Sequence, residues 1–251
     1  MQLENLFRLR DRTALVTGGS SGIGRAIAVA LAAAGAHVVV AARTRATIDA
    51  TVAAIRVGGG SADGVVADLA TRPGAHALAD SVGDVDVLVS SAGINLRPPM
   101  AELDDATWDA TMAVNLDAPF VLGQRLAPGM AQRGFGRLIH ISSQQAHRAF
   151  AASGAYGVSK AGLEGLARSQ AEAWSAHGVT ANVLVPGFVL TPLNERLGSD
   201  PAAVKALAAR TLVGRNGLPE DFAGPAVFLA SPASAYVTGQ AIAVDGGFSV
   251  H

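Results

Sequence analysis

The sequence predicts an α/β fold: one doubly wound parallel sheet of about seven strands with helices on both faces. Three observations predict it. Short β-branched runs alternate with Ala-rich helical stretches along all 251 residues, the pattern of parallel strands joined by right-handed crossovers. Most of the strand runs are continuously apolar, as strands covered on both faces must be. No low-complexity linker or internal repeat divides the chain, which at this length makes a single domain, 1–251, the expectation.

The elements follow in order. "TALVT" (13–17) is the first strand, and the glycines after it open a helix over 22–34. The apolar tract "AIAVALAAAGAHVVVAA" (26–42) is interrupted by Gly35 and His37. It reads as a helix, a glycine stop and the strand "HVVVA" (37–41), not as a membrane span. A helix over 44–57 leads to "GVVAD" (64–68), and one over 72–82 leads to "VDVLVS" (85–90). A long helical stretch, 104–132, precedes "RLIHIS" (137–142); another, 156–176, precedes "TANVLV" (180–185). A helix over 219–230 and the strand "AIAVD" (241–245) complete the series. The stretch 191–217 is the one long segment between strand and helix that lacks a strand, and short helices covering the site are expected there. Ligands of such sheets bind outside the carboxyl ends of the strands.

Composition excludes several classes of function. Half the residues are hydrophobic and only 16% are charged, a globular balance and not a disordered one. Net charge is −1 with no basic run, so neither a nucleic acid nor an anionic membrane is an expected partner. Absence of cysteine removes disulfides, thiolate nucleophiles and Cys-ligated zinc. The six histidines are dispersed, with no His-x3-His and no carboxylate cluster, so no metal site is expected. "MQLENLFRLRDR" has no continuous apolar region or small-residue cleavage site, so no secretory signal is expected and the cytoplasm is the expected location.

"ALVTGGSSGIGRAIAVAL" sets Gly18, Gly22 and Gly24 between the first strand and a helix. Glycine is needed where backbone turns tightly and approaches a pyrophosphate, and the helix N-terminus supplies unpaired N–H groups. The spacing Gly-x3-Gly-x-Gly, with Thr17 before it, resembles the "TGxxxGIG" of the short-chain dehydrogenase/reductase family. That resemblance implies a Rossmann-like fold and cofactor contacts from Thr17, Gly18, Ser20, Ser21, Gly22, Ile23 and Gly24.

The end of the second strand, "VVVAARTR", selects the cofactor. Ala42 stands where an acid would bind the ribose hydroxyls of NAD, and Arg43 and Arg45 follow. Guanidinium groups suit a 2′-phosphate by charge and by fork geometry. NADP(H) is therefore expected over NAD, with Arg43 the preferred contact. The family resemblance adds Asp68 and Leu69 at the adenine, and Ala92 and Gly93 in "SSAG", where the family usually has "NNAG". Ser90 reaches less far than asparagine, which weakens the expected bracing of the central strand.

The chain has two tyrosines and only two lysines beside 17 arginines, yet "AYGVSKAG" holds Tyr156 and Lys160 four residues apart. On a helix these share one face. A phenol of ordinary pKa, roughly 10, is a poor proton donor and acceptor at neutral pH, and a nearby ammonium is expected to lower it. So tuned, Tyr156 trades a proton with a ketone or alcohol oxygen. Ser142 and Ser143 both end the preceding strand; the family's Ser-x12-Tyr-x3-Lys spacing selects Ser143 to hold the carbonyl oxygen. The family also implies that Asn115 binds a water relaying protons toward Lys160, and that Pro186, Gly187 and Thr191 of "PGFVLT" flank the nicotinamide.

"AGINLRPPM" and the stretch 212–248 resemble the gluconate 5-dehydrogenase and 2-deoxygluconate 3-dehydrogenase branch, which implies a sugar acid as substrate. Arg97 or Arg148 then takes the carboxylate, with Gln145 and His147 available to sugar hydroxyls. A 3-oxoacyl-carrier-protein reductase or another ketone reductase is the alternative, and a cofactor-binding regulator without catalysis the non-enzymatic one. The family implies a homotetramer.

Overall fold

The computed structural model describes residues 3–250. Among them seven strands form one parallel sheet in the order β3-β2-β1-β4-β5-β6-β7. The strands are β1 Thr13–Thr17, β2 His37–Ala42, β3 Ser61–Val66, β4 Val87–Ser90, β5 Gly136–Ile141, β6 Val179–Pro186 and β7 Ala241–Val244. The helices are α1 Leu3–Leu6, α2 Gly22–Ala33, α3 Arg45–Val57, α4 Arg72–Ser81, α5 Asp105–Met112, α6 Ala118–Gln132, α7 Gly154–Trp174, α8 Glu195–Gly198, α9 Pro201–Ala209 and α10 Ala223–Ala230. Strand order reverses between β1 and β4, which opens a crevice at their carboxyl ends.

The apolar strands explain the two layers. Successive side chains on a strand point to opposite faces. Ala14, Val16, Val38, Val40, Val87, Val89, Ile139 and Ile141 therefore pack on one face under α2, α3 and α10. Leu15, Val39, Ala41, Leu88 and Leu138 face α4, α6 and α7. Each valine, leucine or isoleucine side chain so buried contributes about 1.5–3 kcal/mol. Both faces of the central strands are thus committed, and only the strand ends remain for function.

Two elements depart from the sequence pattern. The third strand lies at 61–66, not 64–68. As an edge strand it pairs on one side only, His37↔Ser61 through Ala42↔Val66. Its outward polar residues are held locally: Arg56 donates to the Ala62 carbonyl and to Asp63. An apolar-run criterion finds only its second half. The stretch 104–132 is interrupted by a π-turn, Ala113–Asp117, between α5 and α6. Pro119 has no N–H for the Asn115 carbonyl four residues earlier, and its ring would crowd that carbonyl. The helix widens instead, with the Ala118 N–H bonding the Ala113 carbonyl.

Segment 191–217 carries a short 3-10 turn, Pro192–Asn194, followed by α8 and α9. Asp200 caps α9 by accepting from the N–H groups of Ala202 and Ala203 at 3.0 and 3.1 Å. No helix among the described residues is long and apolar enough to cross a membrane.

Candidate active site

The glycine loop packs against the end of β4. Gly18 sits at φ +65°, and a Cβ there would lie 2.8 Å from the Ala92 backbone. A Cβ on Gly24 would lie 2.4 Å from the Gly18 carbonyl oxygen. Neither position admits a side chain. Thr17 braces the same place: its hydroxyl donates to the Val89 carbonyl and accepts from the N–H groups of Ser91 and Ala92, each at 3.2 Å. The hydroxyl is therefore spent on joining β1 to the β4 loop, a supporting part and not a ligand's. Ser21 stands at the N-cap of α2 without a side-chain cap bond, which leaves the first N–H groups of the helix for an anion. Ser20 lies beside it, Ile23 packs into the core, and Thr191 faces Gly22 across the crevice, 3.0 Å from where a Cβ would be.

At the end of β2 the two arginines differ. Arg45 bonds the Gly64 carbonyl and pairs with Asp49, whereas Arg43 is exposed, with no partner among the described residues. Ala42 leaves the position beside them uncharged. Asp68 lies beyond β3, where its Oδ1 accepts from the Ala70 N–H at 3.0 Å, and Leu69 is buried.

The proton-handling groups converge on one buried spot. Tyr156 and Lys160, on α7, are each 5% exposed, and the Lys160 Nζ lies 5.7 Å from the centre of the Tyr156 ring. Nζ donates to the Ile141 carbonyl at 2.7 Å. Burial lowers the pKa of Lys160 to about 8. Burial also raises Tyr156 to about 12, against the pull of the Ser143 hydroxyl bonded to it and of the Arg97 charge. The sequence expectation, an ammonium holding the phenol down, is thus corrected for the protein alone: dehydration outweighs every neighbouring charge, and serine and arginine supply the opposing pull. Ser143 begins a 3-10 turn, where its Oγ accepts from the Gln145 N–H at 3.2 Å.

Asn115 is buried in the π-turn. Its amide clamps Ile94, donating to the carbonyl at 3.0 Å and accepting from the N–H at 2.9 Å, and also donates to Ser159 at 3.0 Å. A Cβ on Gly93 would lie 3.3 Å from the Asn115 Oδ1 and 3.7 Å from the Lys160 Nζ, so Gly93 lets the β4 loop pass over the lysine.

The candidate substrate residues separate. Arg97 is partly buried and donates to the Ala151 carbonyl, close enough to Tyr156 for its charge to act there. Arg148 donates to the Ser249 carbonyl instead. Gln145 accepts from the Ser153 hydroxyl at 2.7 Å. His147 is bound to Glu164 at 2.9 Å. Gly187 is packed on Asp245, where a Cβ would lie 2.9 Å from its Cα, and Pro186 ends β6. The Thr191 N–H and hydroxyl both turn to the Asn194 Oδ1.

Three supporting residues went unread in the sequence. Ser159 links Asn115 to the Tyr156 carbonyl, and its place three residues after Tyr156 was the available signal. Glu164, one turn beyond Lys160, is buried and accepts from Ser142 at 2.8 Å, which takes Ser142 away from any substrate. Asn194, three residues after Thr191, fixes that turn. Ser90, shorter than the asparagine usual at its place, has a buried hydroxyl with no partner among the described residues. Among the described residues no group of His, Cys, Asp or Glu could hold a metal ion.

Comparison with known proteins places the chain among dehydrogenases and reductases. A family model described as enoyl-(acyl carrier protein) reductase matches residues 18–249. Gluconate 5-dehydrogenase of Gluconobacter oxydans is 37% identical over 100% of this chain and 99% of its own length. The crystal structure of a gluconate 5-dehydrogenase from Burkholderia cenocepacia, in complex with NADP and tartrate, superposes with a TM-score of 0.94 at 37% identity, covering 100% of both chains. A structure from Beutenbergia cavernae, provisionally assigned as an NAD(P)-dependent gluconate 5-dehydrogenase and holding NADP at low occupancy, superposes at 0.95 with 43% identity over 98% of this chain and 100% of that one.

Proposed function

This chain belongs to the short-chain dehydrogenase/reductase family of oxidoreductases, and we propose that within it the chain uses NADP(H) to interconvert a secondary alcohol and a ketone on a sugar acid of the gluconate class. The observation that carries the proposal is the convergence of the Tyr156 phenol, the Ser143 hydroxyl and the Lys160 ammonium on one dehydrated spot, with the Arg97 cation beside them.

The residues fit a dinucleotide phosphate. The uncapped first turn of α2 and the side-chain-free glycine loop suit its pyrophosphate. Arg43, without a partner among the described residues and next to uncharged Ala42, suits its 2′-phosphate. Nζ of Lys160 spends one of its three donors on Ile141 and keeps two for a ribose and a water. Bound NADPH supplies hydride to a carbonyl carbon, and NADP+ accepts it in the reverse direction.

The chain's own groups manage the proton. A phenol pushed up to about 12 is protonated at neutral pH, the state needed to donate to a ketone oxygen as charge builds there. Ser143 bonds the same oxygen. For oxidation the phenol must first lose its proton, which Ser143 and Arg97 favour. Both Asn115 amide donors are used within the protein, so a water relay through this residue rests on an acceptor oxygen, and its main-chain carbonyl is one that Pro119 deprives of an α-helical donor. Arg97 is the better placed cation for a substrate carboxylate: each arginine bonds one backbone carbonyl, but only the Arg97 charge acts on Tyr156. Segment 191–217 covers the crevice from the Thr191 side.

Sugar-acid chemistry draws support from the gluconate 5-dehydrogenases similar to this chain. One alternative, reduction of the ketone of a 3-oxoacyl thioester on an acidic carrier protein, draws support from a 3-oxoacyl-(acyl-carrier-protein) reductase structure 35% identical to this chain. Turnover of 5-ketogluconate with NADPH, and none of an acetoacetyl thioester, is the expected result; the opposite pattern would replace the substrate assignment.

Arg43 gives a second test. Charge-assisted bonds contribute roughly 1.5–3 kcal/mol, so Arg43→Ala should weaken NADP+ binding about 10- to 100-fold. Its NAD+ affinity should stay within about twofold, because NAD+ offers no 2′-phosphate to that side chain. Fluorescence titration reads both constants, and an equal loss for the two cofactors would refute the assignment.

A further inference from the structure

The turn at residues 245–250 plays no part in the chemistry above, yet three loops of the site meet on it. On one side lies the end of the covering segment: the Val213 N–H donates to the Gly246 carbonyl at 3.2 Å. A Cβ on Gly247 would lie 2.7 Å from Leu212, and the Arg210 guanidinium sits 4.1 Å over the Phe248 ring. On the other side lies the loop that follows Ser143. Phe150 stacks on Phe248 with ring centres 6.4 Å apart and planes 24° from parallel. Arg148 donates to the Ser249 carbonyl, and Gln144 reaches Asp245 at 3.4 Å. The turn itself is firm: Asp245 accepts from the N–H groups of Gly247 and Ser249 at 2.9 and 2.8 Å. Gly187, in the turn after β6, donates to the Val244 carbonyl at 3.1 Å.

We propose that Phe248 is a positioning residue that latches the covering segment to the loop carrying Ser143, so that the substrate end of the crevice closes as one body. This rests on the proposal that segment 191–217 covers the site. Phe248 is 2% exposed and is held between the Arg210 cation and the Phe150 ring. An aromatic ring can serve both contacts at once: its face attracts the guanidinium, and a second ring packs against it. A leucine would fill the space but keep neither. Every residue of α9 is exposed or only half-buried, and a side-chain bond, from Asn216 to the Val204 carbonyl at 2.9 Å, joins the helix to the stretch that follows it in the segment. Segments of that kind open locally at low cost unless tied down.

The test uses the full chain and three variants, Arg210→Gln, Phe248→Leu and Phe248→Tyr. Trypsin cleavage at the exposed Lys205, followed by mass spectrometry with and without NADP+, reads opening of the segment. Arg210→Gln and Phe248→Leu should each speed cleavage about threefold or more, the factor expected from losing a surface cation–π contact. Phe248→Tyr should restore the original rate. With 5-ketogluconate and NADPH, KM should rise by about the same factor, while kcat and the cofactor Kd stay within about twofold. Unchanged cleavage in both disrupted variants would overturn the latch, and so would faster cleavage with KM unmoved. Cleavage needs no substrate, so failure to turn over sugar acids would remove the substrate assignment and leave this readout standing. Arg210 is exposed, which keeps its variant informative if a change at Phe248 impairs folding.

Discussion

Replacing Tyr156 with phenylalanine is expected to lower kcat/KM about a thousandfold or more in both directions, with NADP+ affinity within about twofold of the original. The substitution removes one oxygen from a buried ring and leaves the ring's packing in place. Ser143 still bonds the substrate oxygen, and hydride transfer still has its donor, but no group of suitable reach can pass the proton. Lys160 cannot take over: its Nζ bonds the Ile141 carbonyl and lies beneath Gly93, toward the β4 loop. Steady-state kinetics with NADPH absorbance, together with a cofactor titration, measures both quantities. A loss below tenfold would remove Tyr156 from the chemistry, whereas a parallel loss of cofactor affinity would assign it to binding.

Acid should weaken the fold through His140 by about 3 kcal/mol between pH 6.5 and pH 4. This histidine on β5 is fully buried, with Nε2 2.8 Å from Gln170 Oε1 and no partner for Nδ1 among the described residues. Burial, with the nearby Lys160 charge adding to it, lowers its pKa from 6.5 to about 4 despite the Gln170 bond. The unfolded chain then binds a proton below pH 6.5 that the folded chain refuses until about pH 4. Stability is therefore complete above 6.5 and lost as pH falls through that window. Carboxylates titrate there too, so the informative quantity is a difference. Urea unfolding of His140→Gln, which keeps a polar partner for Gln170 without a titrating ring, should show a loss of stability between pH 6.5 and pH 4 smaller by about 3 kcal/mol. Equal losses would mean that His140 does not resist protonation.

How much of this was legible in the sequence depended on how local each feature is. Gly18, Gly22 and Gly24 were readable because a strand, a turn and a helix N-terminus are contiguous, and the structure gives Gly18 and Gly24 contacts that no side chain could survive. Tyr156 and Lys160 were readable because a helix brings the fourth residue round to the same face. The polar half of β3 was not, because an edge strand need not be apolar and its partners on Arg56 come from the preceding helix. The π-turn at 113–117 had a signal, Pro119, whose meaning depended on knowing that the stretch continued as helix on both sides. The commitments of the loop arginines had none. Arg148 bonds a carbonyl 101 residues away, and Arg97 one that is 54 residues away, contacts that only the closed chain creates. The phenol's burial belongs to the same class: spacing placed Lys160 on its face of the helix, and the fold revealed both the burial that raises its pKa and the Ser143 and Arg97 pull that opposes it.

That opposition between burial and charge at Tyr156 is the centre of the account, and the chain is well suited to a direct reading of it. Its other tyrosine, Tyr236, is fully exposed, so Tyr236→Phe leaves Tyr156 as the sole phenol. Ultraviolet difference titration of that variant follows one phenolate. Without cofactor its pKa should lie near 12; with saturating NADP+ it should fall by about two units or more as a positive ring settles beside it. A phenol that titrates at the same pH with and without NADP+ would contradict the account.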